Sequence, residues 1–255
     1  MSAKPTPELV PGAHNVLAAL EGQPFAISPP SCDVCGIVGV ERWGDLCAKC
    51  STDRERHRRR VLLSRARDEI PELYRWAHFE AKELRQRVRV PSFVPFIEIV
   101  GAPRTISIWG PAQHGKTSLA CAMLRTLLRV AEKPEAPDTV LARAAGARFV
   151  KVAMLPGPRK YGGAGALNEE VADAIDAPLI VLDGLGEEQP DSPQVASASL
   201  IILERHDRER ISWVTVALQD GAAFTSFGRY DGAVLERIAR DEPGRQRKFT
   251  VGGSR

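Results

Sequence analysis

The apolar positions change their period near residue 104. Upstream, charged residues dominate from about 53 to 88, and Ile70, Leu73, Ala77, Ala81, Leu84 and Val88 recur at helical spacing on one face. Pro71 suits a first helical turn and would divide this helix from the charged one before it. Downstream, the apolar residues gather into short blocks. RTISIW (104–109), ARFVKVAML (147–155), PLIVL (178–182), ISWVTVA (211–217) and KFTV (248–251) predict strands. Segment 117–131 predicts a helix burying Leu119, Ala120, Met123, Leu124, Leu127 and Leu128. Segment 194–208 predicts another, with Val195, Ala198, Ile202 and His206 on one side. Strands alternating with helices imply an α/β fold, a parallel sheet covered by helices on both faces.

Composition adds boundaries. A chain of 255 residues with 44% hydrophobic content holds one sizeable core plus a small accessory module. Residues 1–31, rich in Pro and small side chains, read as a flexible segment with room for a short helix near 15–21. Residues 32–52 hold Cys32, Cys35, Cys47 and Cys50 as two Cys-x-x-Cys pairs separated by eleven residues. In a reducing compartment that spacing reads as a closed, structural zinc site with four thiolate ligands. Cys121, within a helical pattern, reads as a core residue. Residues 53–69 form a basic helical linker: seven Arg against Asp53 and Glu55 give 51–67 a local charge of +5, although the whole chain carries only +3. Such a stretch suits nucleic-acid phosphates and equally suits a solvated helix. No apolar run approaches the roughly 18 residues a membrane helix needs, and the N-terminus lacks a signal-peptide pattern. A cytoplasmic protein without a membrane partner is expected.

The chemistry concentrates in GPAQHGKTSLA (110–120), placed directly after a strand and before a helix. It matches the Walker A pattern G-x-x-x-x-G-K-[ST] at Gly110, Gly115, Lys116 and Thr117. Backbone amides of Pro111's successors Ala112, Gln113, His114 and Gly115, and those of Lys116, Thr117 and Ser118, would face a triphosphate at the helix start. Lys116 would neutralise the β- and γ-phosphates of ATP, and Thr117 would ligate Mg2+. Gln113 sits where a tight backbone favours Gly, so strain is expected there. Asp183, closing the apolar strand PLIVLD, would complete the Mg2+ site at the sheet's C-terminal edge.

From Ile70 to Arg255 the chain resembles the DnaC-type bacterial helicase loaders and their IstB-type transposition relatives, within the AAA+ superfamily. IPELYRWAHFE (70–80) is similar to the segment those proteins place near the nucleotide base. LIVLDGLGEE resembles their hydrophobic-Asp-Asp-Leu-Gly-x-Glu stretch at Asp183, Leu185, Gly186 and Glu188. ISWVTVAL falls at their sensor strand. YDGAVLERI resembles the segment ending in the arginine finger, which gives Arg237 that role, and VGGSR resembles their terminal Gly-x-Ser-x-Arg one residue short, at Arg255. The resemblance implies an AAA+ ATPase domain over 70–255 without a helical lid, and Lys116, Asp183, Glu188 and Arg237 as its catalytic set. Two positions depart from it. Gly184 stands where a water-activating acid is usual, and Ala217 where a polar sensor is usual. Both predict slow hydrolysis.

The resulting expectation is a helicase loader that binds ATP, Mg2+ and Zn2+, forms nucleotide-dependent homo-oligomers on single-stranded DNA and delivers a replicative DNA helicase. An arginine finger acts in trans and so requires a neighbouring copy. A transposition-type ATPase recruiting a transposase to duplex DNA, and a non-hydrolysing ATP-dependent adaptor, are the alternatives. The loop 155–170, with Arg159, Lys160 and Tyr161, is a further candidate for single-strand contact.

Overall fold

A computed structural model describes residues 31–37, 42–43, 46–159, 166–189, 191–217, 230–240 and 245–252. The helix expected near 15–21, and Lys160, Tyr161 and Arg255, lie outside them. The chain divides into two compact units, Met1–Thr52 and Asp53–Arg255. In the first, β1 (Arg42–Trp43) pairs antiparallel with β2 (Leu46–Cys47). Helix α1 (Ala48–Leu62) begins in this unit and ends in the next.

The second unit continues with α2 (Ser64–Asp68), a 3-10 turn Glu72–Tyr74, α3 (Lys82–Arg87) and α4 (Val94–Val100). Then strands and helices alternate: β3 (Thr105–Gly110), α5 (Lys116–Glu132), α6 (Asp138–Ala145), β4 (Ala147–Lys151), α7 (Glu169–Asp176), β5 (Leu179–Leu185), α8 (Pro193–Asp207), β6 (Ile211–Ala217), α9 (Gly232–Ala239) and β7 (Gln246–Thr250). The five strands form one sheet in the order β4-β5-β6-β3-β7. Every pairing is parallel.

Strand alternation divides the interior into two cores. Ile106, Ile108, Leu179, Val181 and Trp213 pack on one face with Leu119, Met123, Leu124 and Leu127 of α5. Ile180, Leu182, Val214 and Val216 pack on the other with α7, α8 and α9, through Val171, Ile175, Ile201 and Ile238. A strand buried on both faces must be apolar throughout, and Leu179 to Leu182 are at most 1% exposed. This is the P-loop architecture expected from the alternation, helices on both faces included. Asp183 continues the parity of Leu179 and Val181, so it emerges on the face covered by α5.

Two expectations needed correction. Residues 70–88 do not form one helix. Pro71 starts a 3-10 turn, Ala77 and Ala81 close successive turns on the Tyr74 and His78 carbonyls, and α3 begins only at Lys82. Leu73 is 73% exposed, whereas Ile70, Ala77, Ala81, Leu84 and Val88 are buried along a folded-back path. In α8 the buried stripe runs through Val195, Ala198 and Ile202 to Arg205, and His206 faces solvent. At 3.6 residues per turn the stripe passes between 205 and 206, and polar contacts of Arg205 decide it.

Candidate nucleotide site and cysteine centre

The loop between β3 and α5 is packed against segments from both sides of it in the chain, Val88 before and Val251 after. Gly110 lies against Val251: a Cβ there would stand 2.5 Å from the Val251 carbonyl oxygen. A Cβ on Gly115 would stand 2.7 Å from Cγ2 of Val88, and Gly115 also has φ 77°. Close approach and left-handed backbone both exclude a side chain at 115. Gln113 adopts φ 63°, the strain expected of a side chain in this turn. His114 Nδ1–H donates to the Ala112 carbonyl at 2.8 Å, and its ring lies where a side chain on Gly252 would go.

Lys116 opens α5 and is 5% exposed. Its ammonium donates to the Gly110 and Pro111 carbonyls at 2.9 and 2.7 Å, folded back onto the loop it serves. Burial lowers its pKa, and the nearby Glu187 and Asp183 carboxylates oppose that. Thr117 Oγ1 donates to Asp183 Oδ1 at 2.8 Å. Thr215, on β6, donates to the same oxygen at 2.7 Å and accepts from the Gly184 amide at 2.8 Å. Burial raises the Asp183 pKa, against the two hydroxyl donors and the charges of Lys151 and Lys116. The Tyr74 phenol is raised by burial and then by the Asp183 carboxylate, and Thr117 lies within its reach. The cradle thus holds one ammonium, a hydroxyl and a carboxylate at a helix start. Hard oxygen donors beside a helix N-terminus suit Mg2+ and a triphosphate; Thr117 and Asp183 would hold the ion, and Lys116 the phosphates.

Thr215, bonded to Asp183, is a contribution that sequence reading missed. The signal was present: Thr215 is a polar residue at a core-facing position of ISWVTVA, in phase with Trp213. The neighbouring acids diverge. Glu188 is 5% exposed, with both carboxylate oxygens accepting from the Gly186 amide at 3.1 and 2.9 Å and the Tyr230 hydroxyl donating to one of them. It braces the turn after β5. Glu187 is exposed, and its amide donates to the Gly184 carbonyl at 3.0 Å. Arg237 pairs with Asp207 at the end of α8, at 3.5 Å, and donates to the Ala233 carbonyl at 3.2 Å.

The four Sγ atoms of Cys32, Cys35, Cys47 and Cys50 lie within 4.8 Å of one another. Ligands about 2.3 Å from a tetrahedral zinc stand about 3.8 Å apart, and Cys35 Sγ and Cys47 Sγ are 3.7 Å apart. The Cys50 amide points at Cys47 Sγ at 3.5 Å. Gly36, at φ 70°, turns the first knuckle, its amide donating to the Cys32 carbonyl at 2.8 Å. The donor set fits one zinc ion.

The basic stretch is partly committed to structure. Arg59 is 4% exposed, and its guanidinium donates to the carbonyls of Ala131, Lys133 and Ala136 at 3.3, 3.1 and 2.9 Å. Arg60 and Arg67 both pair with Glu132. Arg58 stays exposed beside Glu55. Arg159 forms a bridge with Leu167 at the base of the 155–170 loop. Cys121 is fully buried, as expected. Among the described residues no helix is long and apolar enough to cross a membrane.

No protein-family model and no curated protein matches the chain. Among solved structures it is similar to the DnaC helicase loader, at 16% identity and a TM-score of 0.47 over 71% of this chain and 99% of that one. It is similar to DnaI at 16% identity and 0.45, over 68% of this chain and 95% of that one. It is also similar to AMPPCP-bound DnaA from Aquifex aeolicus at 14% identity and 0.41, over 62% of this chain and 45% of that one.

Proposed function

We propose that this chain is a nucleotide-gated switch of the helicase-loader kind: it binds Mg-ATP between Lys116, Thr117 and Asp183, joins copies of itself on single-stranded DNA, delivers a replicative helicase, and hydrolyses ATP slowly. The observation that carries the reading is the convergence of those three side chains at the C-terminal edge of the sheet, where open α/β folds bind ligands. On ligand arrival Lys116 would exchange two loop carbonyls for phosphate oxygens, so the loop itself differs between the free and loaded states. That exchange is a local event able to bias assembly.

Gly184 supports slow turnover, because the residue after Asp183 carries no carboxylate. Arg237 supports action between copies. As the arginine finger that the resemblance implies, it would serve the nucleotide of a second copy and would exchange its Asp207 partner for phosphate charge on doing so. The single-strand and helicase assignments rest on the motif resemblance at Asp183, Leu185, Gly186, Glu188 and Arg237.

The test is calorimetry of Mg-ATP into zinc-replete protein, followed by sizing with and without nucleotide. Lys116→Ala is expected to lose affinity by roughly 10- to 100-fold, the worth of a charge-assisted contact of about 1.5–3 kcal/mol. It is also expected to lose nucleotide-dependent assembly. Absence of binding by the wild-type chain would remove the proposal. Retention of a ring helicase in an ATP-dependent pull-down supports the loader reading, whereas assembly on duplex DNA with a transposase supports the transposition reading.

A further inference from the structure

We infer that Glu187 supplies the water-activating carboxylate that position 184 lacks, its side chain returning through a tight turn to the place where an acid at 184 would put its own. The inference rests on the nucleotide reading above and deepens it by naming the group through which the slow hydrolysis runs.

Three features of the backbone produce the placement. The ladder between β5 and β6 shifts register between Leu182 and Leu185, so the strand is irregular across Asp183 and Gly184. Gly184 takes φ 85°, in the left-handed region that favours glycine. The Glu187 amide then closes a turn on the Gly184 carbonyl at 3.0 Å, which carries residue 187 back over residue 184. A Cβ built on Gly184 would lie 3.2 Å from Glu187 Oε2 and 3.5 Å from its Cδ. A glutamate at 184 would hold its own carboxylate oxygens about 3–3.7 Å from that Cβ, given ordinary bond lengths. The Glu187 carboxylate therefore stands at the same distance from that Cβ as the carboxylate of an acid at 184 would. The glycine that removes the usual acid also permits the turn that delivers another.

The competing acid is accounted for. Glu188 is buried, its oxygens engaged by the Gly186 amide and the Tyr230 hydroxyl. Glu187 is exposed, and its carboxylate is one of those that act on the Lys116 ammonium. Thr215 fixes the other side of the turn by donating to Asp183 while accepting from the Gly184 amide.

In the step assigned to Glu187, a water oxygen forms a bond to the γ-phosphorus of ATP. The bond from that phosphorus to the oxygen bridging the β-phosphate breaks, and its electron pair leaves with ADP. The water proton passes to a Glu187 carboxylate oxygen and then to the released phosphate. Water and ATP are the only reactants.

The experiment compares the full-length wild-type chain with Glu187→Gln, Glu187→Asp, Glu188→Gln and Lys116→Ala, measuring Mg-ATP binding by calorimetry and hydrolysis in single turnover. Glu187→Gln is expected to bind ATP like the wild type and to hydrolyse it about 100-fold more slowly, the lower range for loss of a general base. Glu187→Asp, which withdraws the carboxylate by one methylene, is expected to lose turnover as well. Glu188→Gln, which weakens the brace of the turn that carries Glu187, is expected to slow turnover less than Glu187→Gln does. Wild-type hydrolysis unchanged in Glu187→Gln, loss confined to Glu188→Gln, or ATP that binds and is never cleaved would each overturn the inference while leaving nucleotide binding in place. No ATP binding by the wild type would overturn both, and the calorimetry tells the two failures apart.

Discussion

Thr215 joins the two halves of the candidate nucleotide site through one hydroxyl, donating to Asp183 and accepting from the Gly184 amide. Thr215→Val, at a position 1% exposed, conserves shape but leaves that amide without its acceptor. A loss of about 1–3 kcal/mol in urea unfolding is expected, together with weaker Mg-ATP binding. Asp183 has the opposite sign. Its folded pKa lies above 3.8, chiefly through burial. Below 3.8 the carboxyl is protonated in both states and costs nothing. As pH rises from 3.8 through the raised folded value, the unfolded chain releases its proton first and stability falls; above that value the cost is constant. Asp183→Asn is therefore expected to raise the melting temperature of metal-free protein at neutral pH and to flatten stability across that window. The same variant is expected to lose Mg2+-dependent nucleotide binding. Melting scans from about pH 3 to about pH 8, with and without Mg-ATP, check both.

Two buried arginines act at the scale of the element, each collecting carbonyls where a helix ends. Arg205 of α8 donates to Ala174, Ile175 and Ala177 at the end of α7, at 2.8, 2.9 and 2.7 Å, and to Ser212 Oγ at 3.0 Å. Arg59 of α1 does the same for Ala131 at the end of α5 and for Lys133 and Ala136 after it. The last carbonyls of a helix have no partner within it, and a guanidinium presents several donors in one plane. Burial lowers the Arg205 pKa to about 10, which leaves it charged at neutral pH. Arg205→Met leaves three carbonyls short of a donor and is expected to cost at least about 3 kcal/mol in chemical denaturation. Arg205→Lys, with its donors on a single nitrogen, is expected to recover only part of that. Because Arg59 is similarly committed, testing the proposed DNA contact by changing Arg58, Arg59 and Arg60 together would confound binding with folding. Arg58 alone is the informative substitution, read as a change in the salt dependence of binding.

At the scale of the whole molecule, the two units have different sources of stability. The larger has two cores, one on each face of a five-stranded sheet, and draws its stability from apolar burial. The smaller unit offers four thiolates and a two-strand ladder, and a module of that size depends on its metal. The purified chain is expected to hold one equivalent of zinc by elemental analysis, and Cys35→Ser or Cys50→Ser to lose it. The Walker A site is expected to keep its Mg-ATP affinity in those variants, since its ligands come from β3, α5 and β5.

The sequence by itself determined the alternation of strands and helices, the phosphate loop, the aspartate ending β5 and the four cysteines. Each is written in a local pattern: apolar runs mark strands buried on both faces, and glycines with Lys-Thr mark a loop that must turn tightly before a helix. The tertiary structure decided what depends on separate segments meeting. It brought the Thr215 hydroxyl to Asp183, turned Glu188 inward toward Tyr230 and Glu187 back over Gly184, and broke the 70–88 stripe into turns. It also withdrew Arg59 and Arg205 from solvent. Those outcomes follow from competition for a few buried donors and acceptors, and periodicity along the chain does not record which of several nearby polar residues reaches one first.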